Sequence, residues 1–221
     1  SMDYLWPVEA ADEGLVTDTG LRIIQEFLPA GADNRPGGSN PDTYITIHET
    51  GNFAKGADAA AHAAYLRGSS AQAAPVSWHY TVDDHSIYQH LPDCERAYHA
   101  GDGGSGPGNA TSIGIEICVD AGGDFEQARA NAAALVRLLM ERHDIPLDRV
   151  VQHNRWNGKD CPKTIRATAG AWEAFLALCG GQGSQDTDPE LEAAAALVLL
   201  DALLDRNTDQ IAWSAPQGAR P

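Results

Sequence analysis

The sequence predicts an α/β fold, a mixed central sheet flanked by helices, because two kinds of segment alternate along its 221 residues. Short β-rich runs, Tyr44-Ile-Thr-Ile-His48 and Ser112-Ile-Gly-Ile-Glu-Ile-Cys-Val119, are interleaved with longer stretches whose apolar residues recur at helical spacing. Ionisable residues gather at strand ends and in loops, where such folds carry their functional groups. With 43% hydrophobic and 21% charged residues, the chain has enough apolar material to bury one real core.

In chain order, the turn-forming run 35–41 leads into the first strand and leaves His48 at its end. An Ala-rich segment over 56–67 reads as a helix stopped at Gly68. Residues 76–82 and 86–91, joined by Asp83-Asp84-His85, form a β-hairpin pattern. A glycine-rich loop over 101–110 precedes the apolar strand that contains Glu116, whose neighbours Ile115 and Ile117 point to the opposite face. Residues 124–143 place Ala132, Leu135, Val136, Leu139 and Met140 on one side of a helix. Val150-Val-Gln-His153 is a short strand, and a last helix is expected over 164–178. The main domain, 1–179, should therefore end near Cys179. Residues 180–187 read as a linker and 188–221 as a C-terminal helical extension.

Fifteen basic against thirty-one acidic residues give a formal charge of -16. The general field repels polyanions, and no basic stripe interrupts it, so nucleic acid is not an expected partner. No apolar run is long enough to span a membrane. Ser1 ahead of Met2 reads as a foreign residue before the native start, and no export signal is expected in this sequence. Four scattered cysteines, Cys94, Cys118, Cys161 and Cys179, do not make a disulfide scaffold.

His153 and Cys161 flank a polar, turn-rich loop that can fold both onto one ion. A hydrolytic zinc site uses three protein ligands and leaves the fourth position to water. His48, at a strand end, is the leading third ligand. Spacing alone leaves the alternative open, a satisfied core histidine and a small apolar cysteine.

Five ordered blocks bear on that choice: Thr46-Ile-His-Glu-Thr-Gly-Asn52, Ser77-Trp-His-Tyr80, Tyr98-His-Ala-Gly101, Ser112-Ile-Gly-Ile-Glu116 and the run from His153 to Pro162. Together, over roughly residues 20–178, the chain resembles the type 2 N-acetylmuramoyl-L-alanine amidases, the group of phage lysozyme-like amidases, Bacillus-type autolysins and peptidoglycan recognition proteins. The resemblance implies zinc held by His48, His153 and Cys161, a general base at Glu116 and a transition-state-stabilising Lys159. It also implies peptidoglycan as substrate, hydrolysis at the bacterial cell wall, and a substrate-contacting His99. Asn52, Trp78, Arg155, Trp156 and Asn157 are expected to line the groove. Trp78 departs from the phage lysozyme-like pattern, which has a tyrosine there, so proton transfer falls to Glu116 in the autolysin-like manner. His79 is expected to be structural rather than a ligand. A non-catalytic peptidoglycan-binding protein is the main rival. A nucleobase deaminase would need His-x-Glu with a later Pro-Cys-x-x-Cys, which this chain lacks.

Overall fold

The computed structural model describes residues 15–180 together with the helical positions Ala193, Ala196, Leu197 and Leu200. Apart from Gly180 and those four positions, the expected linker and C-terminal extension lie outside the described residues. The elements are β1 Ile23–Gln25, β2 Gly37–Ser39, β3 Tyr44–Glu49, α1 Ala59–Leu66, α2 Ser69–Ala73, β4 Tyr80–Val82, β5 Ile87–Gln89 and β6 Glu95–Arg96. They continue with α3 Pro107–Thr111, β7 Ser112–Ile117, α4 Phe125–His143, β8 Val150–Gln152, α5 Asn154–Asn157, α6 Lys163–Arg166 and α7 Ala171–Cys179.

The main sheet has the order β1-β5-β4-β7-β3-β8. Strands β4, β7, β3 and β8 run parallel, while the β4–β5 hairpin turns β5, and with it the edge strand β1, the other way. This is the mixed sheet the alternation predicts. Its two faces differ in chemistry because side chains alternate along each strand. Ile45, Ile47, Tyr80, Val82, Ile113, Ile115 and Ile117 face one way and form the main core with Ala132, Leu135, Val136 and Leu139 of α4 and Phe175 of α7. Thr46, His48, Thr81, Ser112 and Glu116 occupy the intervening positions, and each is fully buried.

Helix α4 starts where its sequence says it should. Asp124 is the N-cap, its carboxylate accepting from the Gln127 amide at 3.1 Å, and Asp144 closes the helix in the left-handed conformation. Elsewhere the chain departs from the sequence pattern. Helix α1 does end ahead of Gly68, with Arg67 as its C-cap, but Gly68, with an ordinary negative φ, also serves as the N-cap of a second short helix, α2, that the sequence did not suggest. The helix expected over 164–178 is two, α6 and α7, separated at Gly170, whose φ of 81° lies in the left-handed region. The expected first arm of the hairpin shortens to Tyr80–Val82, leaving Trp78 outside it. All four cysteines are free and buried, so Cys94 and Cys118 are not paired.

The core assignment has a measurable consequence. Ile115, central in β7 and fully buried, should cost about 2–5 kcal/mol when replaced by alanine. Ile24, on edge strand β1 and 39% exposed, should cost under about 1 kcal/mol. Urea unfolding of the two variants checks the contrast, and equal losses would contradict this placement of the core.

Candidate metal centre and active site

The site forms at the carboxyl ends of three adjacent parallel strands. Register pairs His48 of β3 with Glu116 of β7, and β8 runs beside β3 so that His153, the residue after β8, arrives next to His48. Cys161 is brought in by the turn between α5 and α6. The Nδ1 atoms of His48 and His153 are 3.0 Å apart, and the Cys161 sulfur lies 3.9 Å from His48 Nδ1. All three donor atoms fall within 4.8 Å of one another. Tetrahedral zinc with ordinary Zn–N and Zn–S bonds separates such donors by about 3.3 Å and about 3.6 Å respectively. The observed N–N spacing is slightly shorter and the N–S spacing slightly longer than its reference, so the donor set fits zinc in number and type and approximately in size.

Each donor is held from behind, as metal ligands commonly are. His153 Nε2 lies 2.9 Å from the Ala100 carbonyl. A carbonyl can only accept, so Nε2 carries the proton and Nδ1 presents a lone pair. The Glu49 amide donates to the Cys161 sulfur and favours the thiolate against the burial that pushes its pKa up. The Glu49 carboxylate accepts from the amides of Thr164 and Ile165 at 2.8 and 3.0 Å, tying the segment after Cys161 to the end of β3. Nothing in the sequence singles out this role for Glu49 except its place beside His48.

Glu116 is the most telling group. It is fully buried, and neither carboxylate oxygen has a hydrogen-bond partner. His48 lies beside it, with Nδ1 3.8 Å from Oε1. Burial drives its pKa well above the usual carboxylate range, while the charge of Lys159 opposes that rise. An unsatisfied buried carboxylate is costly, and such groups concentrate where function needs them. Lys159, half-buried, also lowers the pKa of His48 and His153, so its ammonium reaches the whole cluster.

Other expected groove residues are placed differently. Trp78 is fully buried in a second apolar cluster with Leu28, Leu66, Val76 and Leu91, and its indole donates to Thr81 Oγ1 at 2.7 Å. It leaves no face for a sugar. Asn52 is 1% exposed and folds back on its own turn, its side-chain oxygen accepting from the Ala54 amide. His99 is fully buried behind His48, with Nδ1 2.8 Å from His48 Nε2. It touches a metal-ligand candidate rather than the surface. Trp156 is half-buried and donates from Nε1 to Thr46 Oγ1 at 2.9 Å. Arg155 and Asn157 are exposed, and the Arg155 guanidinium lies over the rings of Tyr44 and Trp156. His79 is structural: its Nδ1 accepts from the Gly114 amide and its Nε2 donates to the Glu95 carbonyl.

The glycine-rich segment is a built support. Asp102 accepts from the amides of Gly108 and Asn109 at the start of α3, and Asn109 Oδ1 accepts from the amides of His99 and Ala100. Gly108 permits this packing, because a Cβ there would lie 2.5 Å from that of Ala100 and 2.7 Å from the Trp156 ring. Gly114 does the same for His99, whose ring would sit 2.8 Å from an added Cβ.

The fold and site define an α/β domain with a buried His/His/Cys cluster and a carboxylate at the ends of its parallel strands. The N-acetylmuramoyl-L-alanine amidase family model matches residues 38–164, and the chain belongs to that family. It is 53% identical over 165 residues to the N-acetylmuramoyl-L-alanine amidase XlyA of Bacillus subtilis (strain 168), an alignment covering 75% of this chain and 53% of that protein. It is 49% identical over 170 residues to CwlH, an amidase of the same organism, covering 77% of this chain and 64% of CwlH. The solved catalytic domain of XlyA superposes with a TM-score of 0.67 at 53% identity, covering 72% of this chain and 99% of that domain. The chain thus spans between half and two thirds of the length of these curated relatives.

Six buried histidines, His48, His62, His79, His90, His99 and His153, have pKa values lowered chiefly by desolvation, His153 to about 4 and His90 to about 3. Below about pH 6.5 the unfolded chain therefore takes up protons before the folded one, and stability falls with pH through the folded values. Asp42, pushed up to about 9, Asp120, pushed up to about 6, and Glu116 act in the opposite sense but are outnumbered. The Tm of the metal-free protein is expected to drop between pH 6.5 and 4, and calorimetry giving a flat or rising profile across that window would contradict the buried neutral histidines.

Proposed function

We propose that this chain is a zinc-dependent hydrolase that cleaves the amide between the lactyl group of N-acetylmuramic acid and the L-alanine of peptidoglycan stem peptides. The observation that carries the reading is the convergence of His48, His153 and Cys161 beside a buried carboxylate that has no hydrogen-bond partner. The amidase names of the relatives support the choice of bond. The catalytic domain comprises residues 1–179, with 180–187 a linker and 188–221 a C-terminal extension. The substrate is met at the bacterial cell wall.

His48, His153 and Cys161 would hold the ion, which when bound supplies Lewis-acid polarisation and a lowered water pKa. Glu116, whose burial raises the proton affinity of its carboxylate while the Lys159 charge favours the ionised form, is suited as the carboxylate to take a proton from the attacking water and return it to the departing alanine nitrogen. The Lys159 ammonium, whose charge reaches Glu116 and both histidines, stabilises negative charge developing on the carbonyl oxygen. Exposed Arg155, stacked on Tyr44 and Trp156, is placed to meet a stem-peptide carboxylate, with Asn157 beside it. A non-catalytic binder would have no need of an unsatisfied glutamate in the interior, which favours the enzyme.

Purified protein digesting cell walls should release muropeptides whose mass spectra show free lactyl carboxylates and new L-alanine amino termini. Glu116→Gln is expected to retain zinc and lose about 10²–10⁴-fold in kcat. Cys161→Ser or a strong chelator should remove both metal and activity. Full lysis with Cys161→Ser and in chelator would exclude the zinc reading, and cleavage at another bond would exclude the amidase reading.

A further inference from the structure

We propose that His99 is a positioning residue that, together with Ser112, fixes His48 in its Nε2–H tautomer and so presents the His48 Nδ1 lone pair to the metal. This rests on the zinc reading above. It replaces the substrate-contact role the sequence implies for His99, which the complete burial of that ring does not allow.

The argument is an accounting of hydrogens along one chain of contacts across the polar face of the sheet. At one end the Trp156 indole, which can only donate, donates to Thr46 Oγ1 at 2.9 Å. The Thr46 hydroxyl is thereby free to donate onward to Ser112 Oγ, at 2.7 Å. At the other end the Gly108 carbonyl, which can only accept, takes the single proton of the Ser112 hydroxyl at 2.6 Å. Ser112 Oγ has no second proton, so toward His99 Nε2, 3.4 Å away, it is an acceptor. The Ser112 main chain offers the His99 ring a further acceptor. His99 Nε2 therefore bears the hydrogen and Nδ1 is a lone pair. That lone pair faces His48 Nε2 at 2.8 Å, which must donate to it. The neutral His48 ring then has no proton left for Nδ1.

The alternative tautomer shows why this matters. With its proton on Nδ1, His48 would donate to His153 Nδ1, 3.0 Å away, whose own proton is committed to the Ala100 carbonyl. The two ligands would then close on each other through a hydrogen bond, and metal binding would have to break it. The relay through His99 and Ser112 removes that self-closed state and leaves two lone pairs converging on one point, an arrangement that a cation stabilises. Gly114 is part of the device, because its missing side chain is what lets the His99 ring lie flat against β7.

Two measurements test this. Long-range proton–nitrogen NMR of the metal-free wild type near pH 7.5 should show His99 and His48 each protonated on Nε2; a proton on Nδ1 of either ring overturns the relay. Zinc affinity, measured by competition with a chromophoric chelator, should fall about 10–100-fold in His99→Phe, which keeps the ring volume without the acceptor. His99→Asn, whose side-chain oxygen can stand near the place of Nδ1, should recover most of that loss, a rescue that a merely space-filling role would not give. Unchanged affinity in His99→Phe while the wild type binds zinc tightly overturns the relay alone. Failure of the wild type to bind zinc overturns the metal reading, and the relay with it. Should His99→Phe not fold, as judged by circular dichroism, the wild-type NMR result decides by itself.

Discussion

The rest of the structure depends on one constraint: both faces of the central sheet are buried, and one of them is polar. Burying apolar residues on the α4 side needs only shape and volume. The opposite face encloses Thr46, His48, Thr81, Ser112 and Glu116, and buried polar groups left without partners cost on the order of 1–3 kcal/mol each. Thr46 and Ser112 bond to each other and to Trp156 and Gly108, while Thr81 is satisfied by Trp78 and His90. What is left over is informative: the carboxylate of Glu116 has no hydrogen-bond partner, and it lies beside the converging donors of His48, His153 and Cys161. Among these five side chains of the polar face, only Glu116 is left without a hydrogen bond, at the place where an ion and a substrate would enter.

Rigidity follows from the same arrangement. Two ligand candidates sit on or directly after adjacent parallel strands, whose register fixes their separation before any side chain chooses a rotamer. The third, Cys161, comes from a loop, and the Glu49 carboxylate couples that loop to the strand that carries His48. Loop-borne ligands are ordinarily the least precise members of a site; here the sheet extends its precision to the loop through two main-chain hydrogen bonds.

Much of this was legible in the sequence, for identifiable reasons. Strand alternation alone separates Glu116 from Ile115 and Ile117, and the helical spacing of Leu135, Val136 and Leu139 gives the core side of α4. The ordered blocks point to His48, His153 and Cys161, which the fold brings together. Trp78 and His99 were harder, because an aromatic or imidazole in a functional motif looks the same whether it meets substrate or supports the residue that does; only burial separates the two. Strand β1 and the β2–β6 ribbon, of three residues or fewer per strand, are too short to show a period and exist through pairing supplied by distant segments. The break between α6 and α7 rests on Gly170 in a stretch whose apolar residues otherwise continue in helical phase.

The parallel pairing of β3 with β7 and β8 has a kinetic side. His48 and Cys161 stand 113 positions apart in the chain, and the strands between them can align only after long crossover segments have closed. Such non-local contacts form slowly and late, since loop-closure entropy opposes them before packing rewards them. During synthesis from the N-terminus, no partial chain holds the complete donor set until the residues after β8 have been made. The complete donor set is thus a record of completed folding, and a cation that needs all three donors stabilises chiefly the finished domain.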